Sequence, residues 1–184
     1  MKLEDKVKLK NWLKKVTNNE EALKIIENSE DRIIRAYKEL LSGYEKCPSK
    51  ILKVTKEVDN YEGLVIQKDI NFYSICGHHF LPFYGKISLA YEPGGIIIGI
   101  GKLKRLCDVY SRRLQIQEDL VKEIGEELIN SGKAKGSYVL SKAIHHCMCS
   151  RGPNDDTAET ITTYSFGSLK GIEQERRILN LFSK

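Results

Sequence analysis

The chain has 184 residues, of which 41% are hydrophobic and 30% are charged, and its formal net charge at pH 7 is +5. This length suits one ordinary globular domain, and the composition excludes a disordered or collagen-like chain. The longest apolar stretch, residues 94–103, is too short and too rich in glycine to span a bilayer. The positive charge indicates an anionic partner, but it does not distinguish nucleic acid, a membrane surface and a polyphosphate substrate.

The five cysteines indicate a reducing compartment. Their number is odd, and the chain begins Met1-Lys2-Leu3 without a signal-peptide pattern, so a secreted disulfide scaffold is not expected. We therefore expect a soluble, cytoplasmic protein.

Helical periodicity dominates the N-terminal part of the chain. Residues 7–16 place apolar side chains near one face, and the Asn18-Asn19 pair interrupts the pattern before a short segment at residues 23–26. Ser29 is the predicted N-cap of a stronger helix, and Gly43 stands where that helix is expected to stop.

The periodicity then becomes that of strands. Residues 63–75 are rich in β-branched and aromatic residues, and residues 83–91 alternate, with Lys86 and Ser88 on the polar face. A turn and a short strand at residues 96–100 follow. Further predictions are helices at 102–112 and 117–131, strands at 137–149 and 158–166, and a helix from about residue 171. This order predicts an α+β fold with an antiparallel sheet.

All four histidines lie in two adjacent pairs, and each pair has a cysteine within three residues. The two clusters are Cys76-Gly77-His78-His79 and His145-His146-Cys147. Thiolate and imidazole are the ligands that zinc prefers, and two close ligands with a distant third are a common zinc arrangement. We therefore predict that Cys76, His79 and Cys147 bind one zinc ion.

The number of ligands bears on the role of this zinc. On the predicted strand at 137–149, His145 and Cys147 would face one side and His146 the other. Three ligands with spare histidines nearby favour a catalytic zinc, which keeps a position open for water, whereas His145 as a fourth ligand would make the site structural. The remaining cysteines are expected to be small buried residues rather than ligands: Cys47, Cys107 and Cys149.

Two further segments carry weaker signals. Residues 99–105 run from a strand into a helix, where glycines and the basic Lys102 and Arg105 would suit a phosphate, although a solvated basic face is the default reading. Gln117-Glu118 begins a helix, where acidic residues are favoured in any case.

Taken together, these segments resemble the GTP cyclohydrolase I family, from about Ser29 to the C-terminal helix. The motifs that carry the resemblance, in chain order, are Arg32 with Ala36-Tyr37 and Leu41-Ser42-Gly43-Tyr44, then Cys76-Gly77-His78-His79-Phe80-Leu81-Pro82 with Gly85-Lys86, Ile98-Gly99-Ile100-Gly101-Lys102-Leu103-x-Arg105, Gln115-x-Gln117-Glu118-x-Leu120, and His145-His146-Cys147-Met148-x-x-Arg151-Gly152.

The resemblance implies a tunnelling fold, in which units of two strands, two helices and two strands join into a barrel. It implies an N-terminal helical region at residues 1–50 and a catalytic region at 51–184, together forming a single domain. It also implies a homo-decamer of two pentamers, with each active site at a subunit boundary. The implied reaction is zinc-dependent hydrolysis and rearrangement of GTP to 7,8-dihydroneopterin triphosphate with release of formate. The product could enter the synthesis of tetrahydrofolate, of a deazapurine or of another pterin, and the sequence does not distinguish these pathways.

The resemblance also implies roles for individual residues. His145 would protonate the ring nitrogen of the guanine, and His78 would be a further acid-base group. Glu118, with Gln117, would bind the guanine. The triphosphate would be held by four basic residues: Lys102, Arg105, Arg151 and, from a neighbouring subunit, Arg32.

Several positions depart from the family pattern. Gly77 stands where the family usually has Glu, and Gly101 stands where Ser commonly precedes the lysine. Because both belong to the expected pocket, a reaction that stops at the ring-opened formamide, or one on another purine nucleotide, stays open as an alternative. The intact zinc ligands argue against the related 7-cyano-7-deazaguanine reductases, which use no zinc. Lysines that alternate with glutamates along the helices argue against a nucleic-acid-binding module.

Overall fold

The computed structural model describes residues 3–52, 56–59 and 61–183, with only the backbone described for residues 3–8. The chain divides into two compact units, Met1–Glu39 and Leu40–Lys184. No helix in the described ranges combines the length and the apolar character that a membrane span requires.

The N-terminal unit contains helix α1 (Leu3–Val16) and most of helix α2 (Glu20–Leu40). The Asn19 side chain accepts a hydrogen bond from the Ala22 amide at 3.1 Å, so it satisfies one of the free amides at the start of α2. The prediction that Ser29 caps a helix is therefore wrong. Ser29 lies inside α2, because neither glycine nor proline interrupts residues 20–40.

The second unit begins with a 3-10 turn (Ser42–Glu45) that contains the predicted stop at Gly43. Its other elements follow in chain order: α3 (Pro48–Ile51), β1 (Lys56–Glu57), β2 (Val65–Cys76), β3 (Pro82–Glu92), β4 (Ile96–Ile97), α4 (Ile100–Ser111), β5 (Leu114–Gln115), α5 (Gln117–Asn130), β6 (Gly136–His145), α6 (His146–Cys149), β7 (Thr160–Gly167) and α7 (Ile172–Ser183).

The main sheet has the strand order β5-β2-β3-β6-β7. Strands β2, β3, β6 and β7 pair antiparallel, and only the short β5 runs parallel to its neighbour β2. Strands β1 and β4 form a separate two-stranded sheet. The predicted α+β fold with an antiparallel sheet is confirmed, and the sequence β2-β3-α4-α5-β6-β7 is the two-strand, two-helix, two-strand unit of the tunnelling fold.

Both faces of the sheet are covered, but to different extents. Helices α4 and α5 supply buried leucines and isoleucines, such as Leu106 and Ile124, to a large core that includes the predicted apolar face of β3. On the opposite face a smaller cluster packs Tyr138 and Leu140 of β6 against Ile178 of α7. Lys86 is exposed, as predicted. Ser88 was also predicted on the polar face of β3, but it is buried.

Two strand predictions were too long. The strand predicted at residues 96–100 ends at Ile97, because Gly99 is the N-cap of α4 and accepts a hydrogen bond from the Lys102 amide. The strand predicted at residues 137–149 ends at His145, and α6 follows as a single helical turn. Side chains complete this turn: the Cys149 thiol donates to the His145 carbonyl, and the Ser150 hydroxyl donates to the carbonyl of His146.

Candidate metal centre and its pocket

Three sulfur and nitrogen donors converge where β2 and β6 end. Ligand atoms of Cys76, His79 and Cys147 all lie within 4.8 Å of one another. Within this group the Cys76 Sγ atom is 3.8 Å from His79 Nδ1. Two thiols and an imidazole at this spacing could hold one metal ion, and sulfur-rich sets of this kind suit zinc.

The sheet brings these donors together from distant parts of the chain. Cys76 is the last residue of β2, and a tight turn closed by a hydrogen bond from the Phe80 amide to the Cys76 carbonyl carries His79. Strand β3 begins beside this turn and pairs its Phe83 with His145, the last residue of β6. Cys147 follows in α6, so the two predicted clusters meet across the first residues of β3.

The neighbouring Cys76 affects the ionisation of the Cys147 thiol. Burial raises the pKa of the Cys147 thiol, and the nearby Cys76 raises it further, while the positive charge of Arg151 acts in the opposite direction. Two sulfurs this close disfavour two thiolates unless a cation lies between them. The donor set therefore fits a metal ion better than it fits a pair of neighbouring thiols without a cation.

A cavity of about 240 Å³ opens beside the three donors. Its lining combines the metal donors with acid-base and amide side chains: Cys76, His78, His79, Gln115, Ile116, Gln117, Glu118, His145, Cys147, Met148 and Thr160. Glu118 lies in the first turn of α5, where the helix dipole favours a carboxylate. Metal donors, a carboxylate and two further histidines therefore share one pocket.

His145 is held on two sides. Its ring stacks on Phe83, with centroids 4.5 Å apart and an interplanar angle of 5°. Its Nε2 atom lies 2.7 Å from Oε1 of Gln117. Burial lowers the pKa of the imidazole, and the negative charge of Glu118 partly offsets this effect. The neutral form of His145 is thus favoured relative to a histidine in water.

Two buried glutamines support the floor of the cavity. Gln115 donates from Nε2 to a Glu123 carboxylate oxygen at 2.7 Å, and its Oε1 accepts from the Ile116 amide. The Gln117 side chain donates from Nε2 to the carbonyls of Ser141 and Thr160. These bonds tie the start of α5 to strands β6 and β7.

The predicted site residues divide into three groups. His78 and Glu118 line the cavity together with the metal donors and His145. Lys102 and Arg105 lie near the start of α4 and do not belong to this lining. The third group lies on other elements: Arg151 follows α6, and Arg32 belongs to α2 in the N-terminal unit.

The cluster His145-His146-Cys147 differs from the prediction, which placed all three residues on one strand. Because Cys147 lies on a helical turn, the two-residue period of a strand does not explain why it shares a pocket with His145. Within the described ranges the metal-donor group has three members, and His145 is bonded to Gln117 instead of completing a fourth position. Among the other cysteines, Cys107 is buried as predicted, whereas Cys47 is exposed.

Some pocket residues carried no recognisable sequence signal. Thr160 begins β7 and lines the cavity. Phe83 was predicted only as part of the alternating segment 83–91, although its ring also stacks on His145. Each depends on contacts across strands, which residue spacing along the chain does not reveal.

Residues 6–182 match the sequence model of the family described as GTP cyclohydrolase I. The chain belongs to the GTP cyclohydrolase I family. It is 41% identical over 140 residues to the GTP cyclohydrolase 1 of Clostridium kluyveri, a match covering 76% of this chain and 75% of the relative. It is 43% identical over 145 residues to the GTP cyclohydrolase 1 of Clostridium perfringens, covering 79% of this chain and 77% of the relative. A crystal structure of the archaeosine synthase QueF-Like in the apo form superposes with a TM-score of 0.47 and 19% identity, covering 60% of this chain and 100% of that chain.

Proposed function

We propose that this chain is a zinc-dependent GTP cyclohydrolase I, which hydrolyses and rearranges GTP to 7,8-dihydroneopterin triphosphate and releases formate. The observation that carries the proposal is the shared cavity. In this chain, which belongs to the GTP cyclohydrolase I family, the three candidate metal donors line the same pocket as His145 and Glu118.

Zinc would be held by Cys76, His79 and Cys147. Three protein ligands are the usual number in catalytic zinc sites, where a further position stays open. When bound there, zinc supplies Lewis acidity that brings the pKa of water close to neutrality.

The protein's own groups would recognise the base and move protons. The Glu118 carboxylate accepts hydrogen bonds from the ring N–H and amino group of guanine, a pairing that adenine cannot offer. His145 donates a proton to the ring nitrogen as the imidazole opens, and His78 serves as a second acid-base group at the mouth of the cavity. Imidazole suits both roles because it gains and loses a proton near neutral pH.

The triphosphate requires cations that the cavity lining does not supply. In the described part of the chain, that lining contains neither lysine nor arginine. We propose that Lys102, Arg105 and Arg151, together with Arg32 of a neighbouring subunit, bind the phosphates.

This arrangement fits an oligomer with shared sites. Among the described strands, β7 pairs only with β6, and residues 65–72 of β2 pair only with β3. A neighbouring copy could extend the sheet along these edges, as in the decamer of two pentamers implied by the resemblance. Sedimentation of the purified protein tests this assembly.

Product analysis of a GTP reaction tests the activity. Purified protein incubated with GTP and zinc should release formate and give a fluorescent pterin after oxidation. Treatment with a chelator should abolish both signals, and readdition of zinc should restore them. Zinc-loaded protein that consumes no GTP would contradict the proposal.

A second candidate is a reaction that stops at the ring-opened formamide. Gly77 favours it, because the family's usual carboxylate is missing from the turn that carries the metal ligands. The same assay separates the two candidates. Loss of GTP with accumulation of a formamide and no free formate would support the truncated reaction.

A further inference from the structure

The Gln117 side chain is almost fully enclosed at the base of the proposed active site. It is 2% exposed, and every polar atom of its amide has a partner. Its Nε2 atom lies 3.2 Å from the Ser141 carbonyl oxygen and 3.0 Å from the Thr160 carbonyl oxygen, and its Oε1 lies 2.7 Å from Nε2 of His145.

These partners determine which way the amide points. Carbonyl oxygens can only accept hydrogen bonds, so the end of Gln117 that faces Ser141 and Thr160 must be the NH₂ group. The opposite end is then the amide oxygen, which can only accept. His145 must therefore donate from Nε2, and its neutral form must carry the ring proton on that nitrogen.

We propose that Gln117 is a positioning residue that holds His145 in the Nε2–H tautomer and reserves Nδ1 for proton exchange with the substrate. This role rests on the proposed function of His145 as the proton donor. It replaces the direct contact with guanine that the family resemblance implied for Gln117, because the side chain is 2% exposed and both polar atoms of its amide already have partners within the protein.

The proton count is consistent with this role. In the cationic form both ring nitrogens of His145 carry a proton. Transfer of the Nδ1 proton to a ring nitrogen of the base breaks one N–H bond and forms another, and it leaves the neutral Nε2–H tautomer. Gln117 accepts from Nε2–H before and after the transfer, so it neither gains nor loses a proton.

The ring is also fixed against rotation. Phe83 stacks on the imidazole at 4.5 Å and 5°, so the ring plane is defined by packing. The hydrogen bond to Gln117 then determines that Nε2, and not Nδ1, is the ring nitrogen that faces the buried amide. The donors of Gln117 reach both β6 and β7, so the position of His145 is coupled to the pairing of these two strands.

Replacement of Gln117 tests the role. Gln117→Met has a similar length but neither donor nor acceptor, so the zinc-loaded variant should lose kcat for GTP by roughly 10- to 100-fold, by analogy with the loss when a partner that orients a metal-bound histidine is removed. KM should stay within about two-fold, because no substrate contact is lost. Gln174→Met on α7 is the matched control and should leave both constants unchanged.

The tautomer provides a readout that does not depend on turnover. In zinc-loaded protein labelled with ¹⁵N-histidine, spectra are recorded as the pH is raised until the imidazole is neutral. The His145 signals, assigned by their loss in His145→Ala, should then show a protonated Nε2 and an unprotonated Nδ1. In Gln117→Met the two tautomers should mix.

Three results would overturn the inference. They are a neutral wild-type His145 whose single ring proton is on Nδ1, a tautomer that does not change in Gln117→Met, and a rise in KM at constant kcat, which would make Gln117 a substrate contact. If the wild type does not turn over GTP, the proposed function fails, and the nitrogen spectrum still decides whether Gln117 controls the tautomer.

Discussion

Zinc should stabilise the fold, because its three ligands join segments that are distant in sequence. Cys76 and His79 belong to one turn after β2, whereas Cys147 lies in α6, so a bound ion connects the ends of two strands that are separated by β3. Free zinc at about 100 times its dissociation constant stabilises the native state by about 2.7 kcal/mol. For a chain of this size, each kcal/mol raises Tm by about 2–4 °C, so removal of zinc should lower Tm by roughly 5–11 °C.

Thermal unfolding with zinc and with a chelator measures this difference. Cys147→Ala leaves two ligands in a single turn, and we expect this variant to show less than half of the wild-type shift. Cys149→Ser is the matched control, because Cys149 is outside the donor group and the serine hydroxyl can still donate to the His145 carbonyl in α6, so this variant should keep the full shift. An unchanged shift in Cys147→Ala, or loss of the shift in Cys149→Ser, would refute the assigned ligand set.

Three further predictions concern the pocket wall, the backbone and thiol reactivity. Glu118→Gln should lower kcat/KM for GTP by about 100-fold, because the amide leaves a donor of the bound guanine unpaired; steady-state kinetics would contradict this by showing a change below about three-fold. Gly77→Ala should change the free energy of unfolding by less than about 0.5 kcal/mol, because the added Cβ would stand 3.7 Å from the nearest backbone oxygen. Gly85→Ala should cost about 1–3 kcal/mol or more, because its Cβ would come within 1.9 Å of a backbone oxygen of β6, and urea unfolding compares the two variants. Iodoacetamide at pH 7.5 should label exposed Cys47, whose pKa is lowered by a side-chain hydrogen bond, before Cys107, whose pKa is raised by burial to about 12; equal labelling rates in a mass spectrum would contradict this.

The grouping of Cys76, His79 and Cys147 was predictable because it depends on residue types that are rare in this chain. The clustering of histidine and cysteine in the sequence indicated a set of candidate metal donors, and the fold brings their ligand atoms within 4.8 Å of one another. The antiparallel sheet was also predictable, since the alternation in β3 and the amphipathic helices α4 and α5 reflect burial on one face.

The errors occurred where short-range hydrogen bonds compete with periodicity. Side chains alternate in character after His145 in a way that is compatible with a strand. The segment nevertheless forms α6, in which a thiol and a hydroxyl donate hydrogen bonds to backbone carbonyls. Ser29 is a good capping residue in isolation, but Asn19 had already started the helix ten residues earlier. In both places the observed secondary structure depends on hydrogen bonds between side chains and the backbone, which the residue types alone do not predict.

The role of Gln117 could not have been predicted, because its partners are far along the chain. His145 is 28 residues away and Thr160 is 43 residues away, and the three meet only after β6 and β7 have paired beside α5. Spacing identified Gln117 as a neighbour of Glu118, and family resemblance then implied a shared contact with guanine. The fold separates the two side chains: Glu118 is exposed at the cavity, whereas the amide of Gln117 is buried beneath it.

The described lining of the cavity has no basic side chain, and this links substrate binding to the oligomeric state. A triphosphate carries several negative charges, and the described cavity lining presents the carboxylate of Glu118 with no lysine or arginine to balance them. Phosphate binding therefore depends on basic residues outside this lining, and we propose that one of them, Arg32, comes from a neighbouring subunit. If so, dilution that dissociates the oligomer should raise KM for GTP before zinc is lost. Guanosine, which lacks the phosphates, should show a smaller dependence of binding on protein concentration.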